Sequence, residues 1–226
     1  MGVEDMNIQA KYLFRCSFLF SVIFLLLGFL LEFQYMENLD RQWGKHGYQF
    51  WDLDPFFIFL SFIGSRNFLY PAMLVVSISL IFKRYHFAIM MVWVNIVGVR
   101  FINTCIKGIY QRERPSLEHL VDAHFYSFPS GHAMNSMATY GMLAFLFILI
   151  VQNWKIKIFA VLSASIIILM IGTSRIYLGV HYPLDVLAGY FAGAAWLTLL
   201  IGVWAKLKSN NHERDFLRMG ISTENG

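Results

Sequence analysis

The chain has 226 residues, of which 58% are hydrophobic and only 14% are charged, and its formal net charge is +4. Soluble domains carry charge on roughly a quarter of their residues, so this composition excludes an ordinary water-soluble protein and indicates a bilayer-embedded one. The basic residues form no clustered face with interleaved aromatic side chains, which argues against nucleic-acid binding.

Apolar runs of close to 20 residues are typical of transmembrane helices. Six such runs predict an all-α fold, an integral membrane bundle of about six helices. The first run precedes no small-x-small cleavage site, so we expect a retained helix and not a removed signal. The second run is short, but the apolar segment 53–63 before it adds length. The predicted spans are roughly 12–31, 67–82, 86–106, 131–151, 154–172 and 184–205.

Lysine and arginine residues collect in the segments on one side of this bundle, and that side is normally cytoplasmic. We therefore expect a multi-pass plasma membrane protein with both termini in the cytoplasm. Segment 32–66 falls on the opposite side and is rich in aromatic residues, which fits an interfacial segment or an ordinary loop. The polar tail 209–226 is expected to be mobile. The aromatic residues are Trp43, Tyr48, Phe50, Trp51 and Phe56.

Three short polar clusters interrupt the apolar pattern, and each borders a predicted span on the outer side. The first cluster follows the third span, where Lys107 and Arg114 supply two cations. A guanidinium can bind two phosphate oxygens as a fork, while an ammonium acts as a point charge. Basic residues on the outer side break the charge rule, so these two indicate an anionic ligand.

The second cluster opens the fourth span with Ser130, Gly131 and His132. Ser130 is suited to cap the helix, and exposed N–H groups at a helix N-terminus bind anions. His132 could give a proton to a departing oxygen. Ser136 and Thr139 continue the same helix face, and a polar stripe of this kind should face the bundle interior.

The third cluster contains Arg175, His181 and Asp185. Pro183 is suited to the first position of the last helix, which places Asp185 in the first turn, within reach of His181. A carboxylate that accepts a hydrogen bond from one imidazole nitrogen fixes the tautomer and leaves the other nitrogen free to attack. This arrangement is required for a histidine nucleophile that forms a phospho-enzyme.

Each cluster alone has a simpler explanation, as a snorkelling cation, a helix cap or a chance pair. Together they resemble the complete three-part signature of the type 2 phosphatidic acid phosphatase family, which belongs to the lipid phosphate phosphatases. The signature covers residues 107–185, and the six-span layout extends the resemblance to most of the chain. The matching parts are Lys107 with six residues before Arg114-Pro115, Pro129-Ser130-Gly131-His132, and Ser174-Arg175 followed by His181 and Asp185.

The resemblance implies a single membrane-embedded phosphatase domain over residues 1–226, with its site at the extracytoplasmic face and without metal or other cofactor. It implies that His181 is the nucleophile, that Asp185 orients it, and that His132 protonates the leaving oxygen and later activates water. Arg112 and Glu113 lie outside the signature and receive no role. The implied phosphate-binding residues are Lys107, Arg114, Ser130, Gly131 and Arg175.

Three functions remain open on these grounds. The first is hydrolysis of a lipid phosphate or diphosphate, with phosphatidylglycerophosphate, phosphatidic acid and undecaprenyl diphosphate as candidate substrates. The second is a phosphotransferase that passes the phosphate to another lipid. The third is a non-enzymatic headgroup binder or transporter, although cations alone would suffice for binding, so His132 and the His181–Asp185 pair favour catalysis. No obligate protein partner is inferred.

Overall fold

The structure, a computed structural model, describes residues 3–48, 52–123 and 125–224, and within these ranges the chain forms eight helices. In chain order they are α1 (Val3–Leu30), α2 (Gln34–Gly47), α3 (Asp54–Ile63), α4 (Arg66–Phe82), α5 (His86–Tyr110), α6 (Gly131–Ile150), α7 (Trp154–Tyr177) and α8 (Pro183–Glu224).

Five of these helices, α1, α5, α6, α7 and α8, are long and apolar enough to cross a membrane. A sixth candidate span is obtained if α3 and α4, which meet at a bend of 49°, are counted as one. The prediction of an all-α bundle of about six spans is therefore confirmed. The apolar segment 53–63, noted as extra length for the second span, corresponds to the separate helix α3.

The outer surface of the bundle is apolar and its interior contains polar groups, the pattern expected for a lipid-embedded protein. Phe18 and Phe159, on α1 and α7, are 73% and 72% exposed. By contrast, Ser136 and Thr139 on α6 are fully buried, as the predicted interior stripe requires. Buried amide groups also tie helices together, since Asn95 Nδ2 on α5 donates to Ala138 O on α6 at 2.9 Å.

Glycines let α8 approach α6 closely. A Cβ atom on Gly189 would lie 2.6 Å from Ser130 O, and one on Gly193 would lie 2.6 Å from Met134 O. Small residues at a membrane helix interface permit such backbone contact. The contact places the start of α6 beside the first turns of α8, so the second and third clusters become neighbours.

The segment between α1 and α4 contains two helices, α2 and α3, where the sequence allowed an interfacial segment or a loop. One face of α2 buries Asp40, while Trp43 on the same helix is 52% exposed. Phe50 and Trp51 lie outside the described residues. An interfacial position of this segment and the mobility of the tail from residue 209 stay predictions; α8 extends to Glu224, and the last two residues lie outside the described ranges.

Candidate active site

The connection between α7 and α8 holds Arg175 and His181 together. It consists of residues 178–182, and it turns at Gly179, whose φ of +73° favours glycine. The backbone N–H groups of Val180 and His181 both donate to Arg175 O at 3.2 Å. These bonds fold the chain back over the end of α7, so the imidazole and the guanidinium come from the same tight turn.

His181 and Asp185 form the expected pair. Asp185 lies in the first turn of α8, which begins at Pro183 as predicted, and its Oδ2 is 3.4 Å from His181 Nδ1. The same Oδ2 atom accepts the Tyr182 N–H at 2.9 Å. Burial lowers the pKa of His181 to about 3, even though the hydrogen bond with Asp185 acts in the opposite direction. The imidazole is therefore neutral at physiological pH, which is the form a nucleophile needs.

Of the two cations in the first cluster, Arg114 reaches the other side of this imidazole. Arg114 Nη1 donates to Val180 O at 2.7 Å and lies 3.3 Å from His181 Nε2. Burial lowers the pKa of Arg114, although its ordinary value is so high that it remains a cation. Lys107, in the last turn of α5, donates to the carbonyl oxygens of Tyr126 and Ser127. Both cations are thus held by the chain that leads into α6.

The second cluster begins α6 as predicted, with Ser130 as the N-cap; its Oγ accepts the Ala133 N–H at 3.5 Å. The Ser130 N–H donates to Asp185 O at 2.9 Å, which links this cluster to the third. A Cβ atom on Gly131 would lie 3.0 Å from Asn103 Oδ1, so glycine at this position lets the start of α6 lie close to the Asn103 side chain. His132 follows in the first turn, within electrostatic range of the cations and of His181.

Arg175 is the most enclosed of the three cations among the predicted phosphate ligands, with 3% of its surface exposed. Its Nη1 donates to Ser61 Oγ on α3, and its Nε has no hydrogen-bond partner among the described residues. The bend between α3 and α4 also reaches this site, because a Cβ atom on Gly64 would lie 3.4 Å from His132 Cδ2. A non-helical break at membrane depth is tolerated where it is buried or lines a cavity.

The structure therefore brings all eight predicted residues to one end of the bundle, from four different elements and the connections between them. It also brings in three residues that the sequence reasoning missed, namely Arg112, Asp40 and Ser61. Arg112 Nη1 lies 2.6 Å from Asp185 Oδ1. Arg112 could have been noticed in the sequence, because it is charged and lies two residues before Arg114. No local pattern distinguishes Asp40 or Ser61.

A match to a protein-family model confirms the family resemblance that the sequence indicated. Residues 88–209 match the model described as the PAP2 superfamily, which covers more than half of the chain and all eight predicted residues. The chain belongs to the PAP2 superfamily. Arg112 lies within the matched region, whereas Asp40 and Ser61 lie before it.

Individual PAP2 relatives agree in sequence and in fold. The chain is 30% identical to "Phosphatidylglycerophosphatase B" of Bacillus subtilis over 66% of this chain and 74% of that protein. It is 28% identical to "Lipid A 4'-phosphatase" of Bacteroides thetaiotaomicron over 78% and 84%. The crystal structure of a transmembrane PAP2-type phosphatidylglycerolphosphate phosphatase from Bacillus subtilis matches with a TM-score of 0.80 and 26% identity, covering 84% of this chain and 96% of that one.

The chemistry available at this PAP2 site is that of fixed cations and two imidazoles. Among the described residues, no group of three or more His, Cys, Asp or Glu side chains has an arrangement that could hold a metal ion. Three cations, from α5, from α7 and from the connection between α5 and α6, lie within electrostatic range of the two imidazoles, of which His181 is neutral. Such an arrangement can bind the equatorial oxygens of a phosphoryl group while an imidazole nitrogen attacks its phosphorus atom.

Proposed function

We propose that this protein is an integral membrane phosphatase that hydrolyses a lipid phosphate or diphosphate through a phosphohistidine on His181. The observation that carries the proposal is that each ring nitrogen of the neutral His181 imidazole has a charged neighbour. Asp185 lies at Nδ1, and the Arg114 guanidinium lies at Nε2. With Nδ1 protonated and facing the carboxylate, Nε2 carries the lone pair and is directed toward the group that binds phosphate.

The phosphoryl group would be held by Lys107, Arg114 and Arg175, with the Ser130 hydroxyl and the Gly131 N–H at the start of α6 as further donors. Arg175 supports this assignment because its buried Nε atom has no partner among the described residues, and a buried donor without an acceptor is costly. A phosphate oxygen would satisfy it. Cations that are fixed before substrate arrives stabilise the charge that spreads over the transferring group.

Turnover proceeds in two steps. In the first, His181 Nε2 forms a bond to phosphorus, the bond from phosphorus to the ester oxygen breaks, and His132 gives its proton to the departing oxygen. Asp185 stabilises the positive charge that develops on the phosphorylated ring. In the second, His132 takes a proton from water, whose oxygen forms a bond to phosphorus while the bond from phosphorus to His181 Nε2 breaks, so that inorganic phosphate is released. His181 is then neutral again.

The apolar surface of the bundle supports a lipid substrate, because the site lies at the end of this bundle. The named relatives act on phosphatidylglycerophosphate and on lipid A by their descriptions, and we propose phosphatidylglycerophosphate as the first substrate to test. Phosphatidic acid and undecaprenyl diphosphate are the next candidates. The positions of the basic loops support a site at the extracytoplasmic face of the plasma membrane, with both termini in the cytoplasm.

The test is phosphate release by the purified protein from these three lipids at matched surface concentration. Hydrolysis yields free phosphate, whereas transfer to another lipid or simple binding yields none. His181→Ala should lower kcat by about 10³-fold or more because the phospho-enzyme cannot form.

A matched control is His119→Ala, because the His119 ring donates from Nε2 to a backbone carbonyl, Pro115 O, at 2.9 Å. It should retain wild-type activity. Substantial turnover by folded His181→Ala protein would remove the covalent mechanism.

A further inference from the structure

Arg112 joins the catalytic carboxylate to helix α2. Besides its contact with Asp185, its Nη2 atom lies 2.9 Å from Asp40 Oδ2. Neither of these two atoms has a hydrogen-bond partner elsewhere among the described residues. Asp40 and Arg112 are therefore specific partners, and they connect residues that are far apart in the sequence.

The network is buried, and stability alone does not explain it. Asp40 and Asp185 are fully buried, and 9% of the Arg112 side chain is exposed. Removing charges from water is costly, and replacing a buried ion pair by apolar residues is often neutral or stabilising. A carboxylate–guanidinium–carboxylate chain that ends on the histidine's partner therefore needs a functional reason.

Arg112 fixes how the two oxygens of Asp185 are used. It occupies Oδ1, so that Oδ2 is left for the Tyr182 N–H and His181 Nδ1. A carboxylate held at one oxygen cannot rotate without breaking that bond. The direction in which His181 Nε2 points thus depends on the Arg112 contact as well as on Asp185 itself.

Asp40 holds the arginine and the helix together. Its Oδ1 accepts the Leu184 N–H in the first turn of α8 at 2.8 Å, while its Oδ2 faces Arg112. The guanidinium lies over the Tyr182 ring, 4.3 Å from its centroid. Burial lowers the pKa of Arg112, but Asp185 and Asp40 outweigh it and raise the value above the ordinary one, so the group is a permanent cation. Without Asp40, Asp185 would be the one carboxylate left to hold this cation away from a bound phosphate.

We propose that Asp40 and Arg112 are a positioning pair, through which α2 holds the Asp185 carboxylate in the rotation that directs His181 at phosphorus. Neither residue touches the substrate, and Asp40 keeps the guanidinium away from it. The proposal rests on the proposed function, because it assigns a reason for the pair only if His181 is the nucleophile.

The decisive variant is Asp40→Asn, which keeps an oxygen for the Leu184 N–H and removes the charge that holds Arg112. Loss of a group that orients a catalytic residue without contacting the substrate typically lowers activity by about 10- to 100-fold. We expect kcat for phosphate release to fall by that factor while KM stays within about twofold, since transition-state geometry changes and ground-state binding does not. Arg112→Lys should retain more kcat than Arg112→Ala, because an ammonium keeps the charge but not the fork.

The matched control is Glu37→Gln on the same helix. Glu37 also pairs with an arginine, Arg41 at 2.7 Å, but on the exposed face. It should leave kcat and KM unchanged. Wild-type kcat in Asp40→Asn would overturn the proposal, and so would a raised KM with unchanged kcat, which would make the pair a substrate-binding element.

If Asp40→Asn does not fold, the two Arg112 variants decide, and equal kcat in Arg112→Lys and wild-type protein overturns the proposal. His181→Ala is measured beside them. Activity in that variant removes the proposed function, whereas an inactive His181→Ala beside a fully active Asp40→Asn removes only the positioning pair.

Discussion

Substitution of Gly189 by alanine should separate the second and third clusters. The added Cβ would lie 2.6 Å from Ser130 O and 2.9 Å from the Ala133 Cβ atom. An ordinary carbon–oxygen contact is about 3.3 Å, so α8 and α6 must move apart by roughly 0.7 Å. Both obstacles belong to the helix itself, so no flexible side chain can move aside to relieve the contact.

Two quantities follow from this displacement. Overpacking of this kind costs about 1–3 kcal/mol of stability, which thermal unfolding in detergent should report as a lowered Tm. A misplacement of about 1 Å in an active site can cost 100-fold in rate, so we expect kcat to fall between tenfold and a hundredfold. The Ser130 N–H bond to Asp185 O, now 2.9 Å, lies directly across the affected contact.

Gly108→Ala is the matched control because a Cβ atom at Gly108 meets nothing within 4 Å. It lies in the last turn of α5 and should keep wild-type kcat, with a change in stability of at most about 1 kcal/mol in the favourable direction. Wild-type Tm and kcat in Gly189→Ala would refute the close-packing argument. Equal losses in both variants would show that glycine matters for a reason other than helix contact.

His132→Ala should lower kcat on lipid substrates by about 100-fold or more but spare aryl phosphates with good leaving groups, which need no acid; equal losses for both would reassign the residue to positioning. Orthovanadate should inhibit, because it adopts the five-coordinate geometry of the transferring group, and EDTA should not; activity lost on chelation and restored by magnesium would contradict this. A membrane-impermeant thiol reagent on intact cells should label Ser116→Cys and leave Gln152→Cys unlabelled until permeabilisation, both exposed sites being tested with Cys16 and Cys105 replaced by serine; the reverse pattern would invert the topology.

The sequence predicted the spans well because hydropathy over 20 residues is a strong local signal, but it ended the third and the fifth before the site. The third span was predicted to end at residue 106 and the fifth at residue 172, whereas α5 continues to Tyr110 and α7 to Tyr177. In both, charged or polar residues lower the local hydropathy. Lys107 and Arg175 nevertheless belong to the helices, because their side chains turn into the site and not into lipid.

The signature residues were predictable because each cluster is short and its spacing carries chemical meaning. Asp40 and Ser61 were not, since their partners Arg112 and Arg175 lie 72 and 114 positions away and only tertiary packing joins them. Segment 32–66 also lacks the long apolar run that makes a helix visible, so α2 and α3 gave no signal of their part in the site.

The charges at this end of the bundle show why one arginine differs from its neighbours. Lys107, Arg112, Arg114 and Arg175 are four cations, and Asp40 and Asp185 are two carboxylates, which leaves a formal charge of +2 with neutral histidines. A phosphate monoester carries between −1.5 and −2 near pH 7, so it would neutralise the site almost completely. Both carboxylates contact Arg112. Arg112 is thus neutralised by the protein itself, and we propose that the other three cations bind the substrate phosphate.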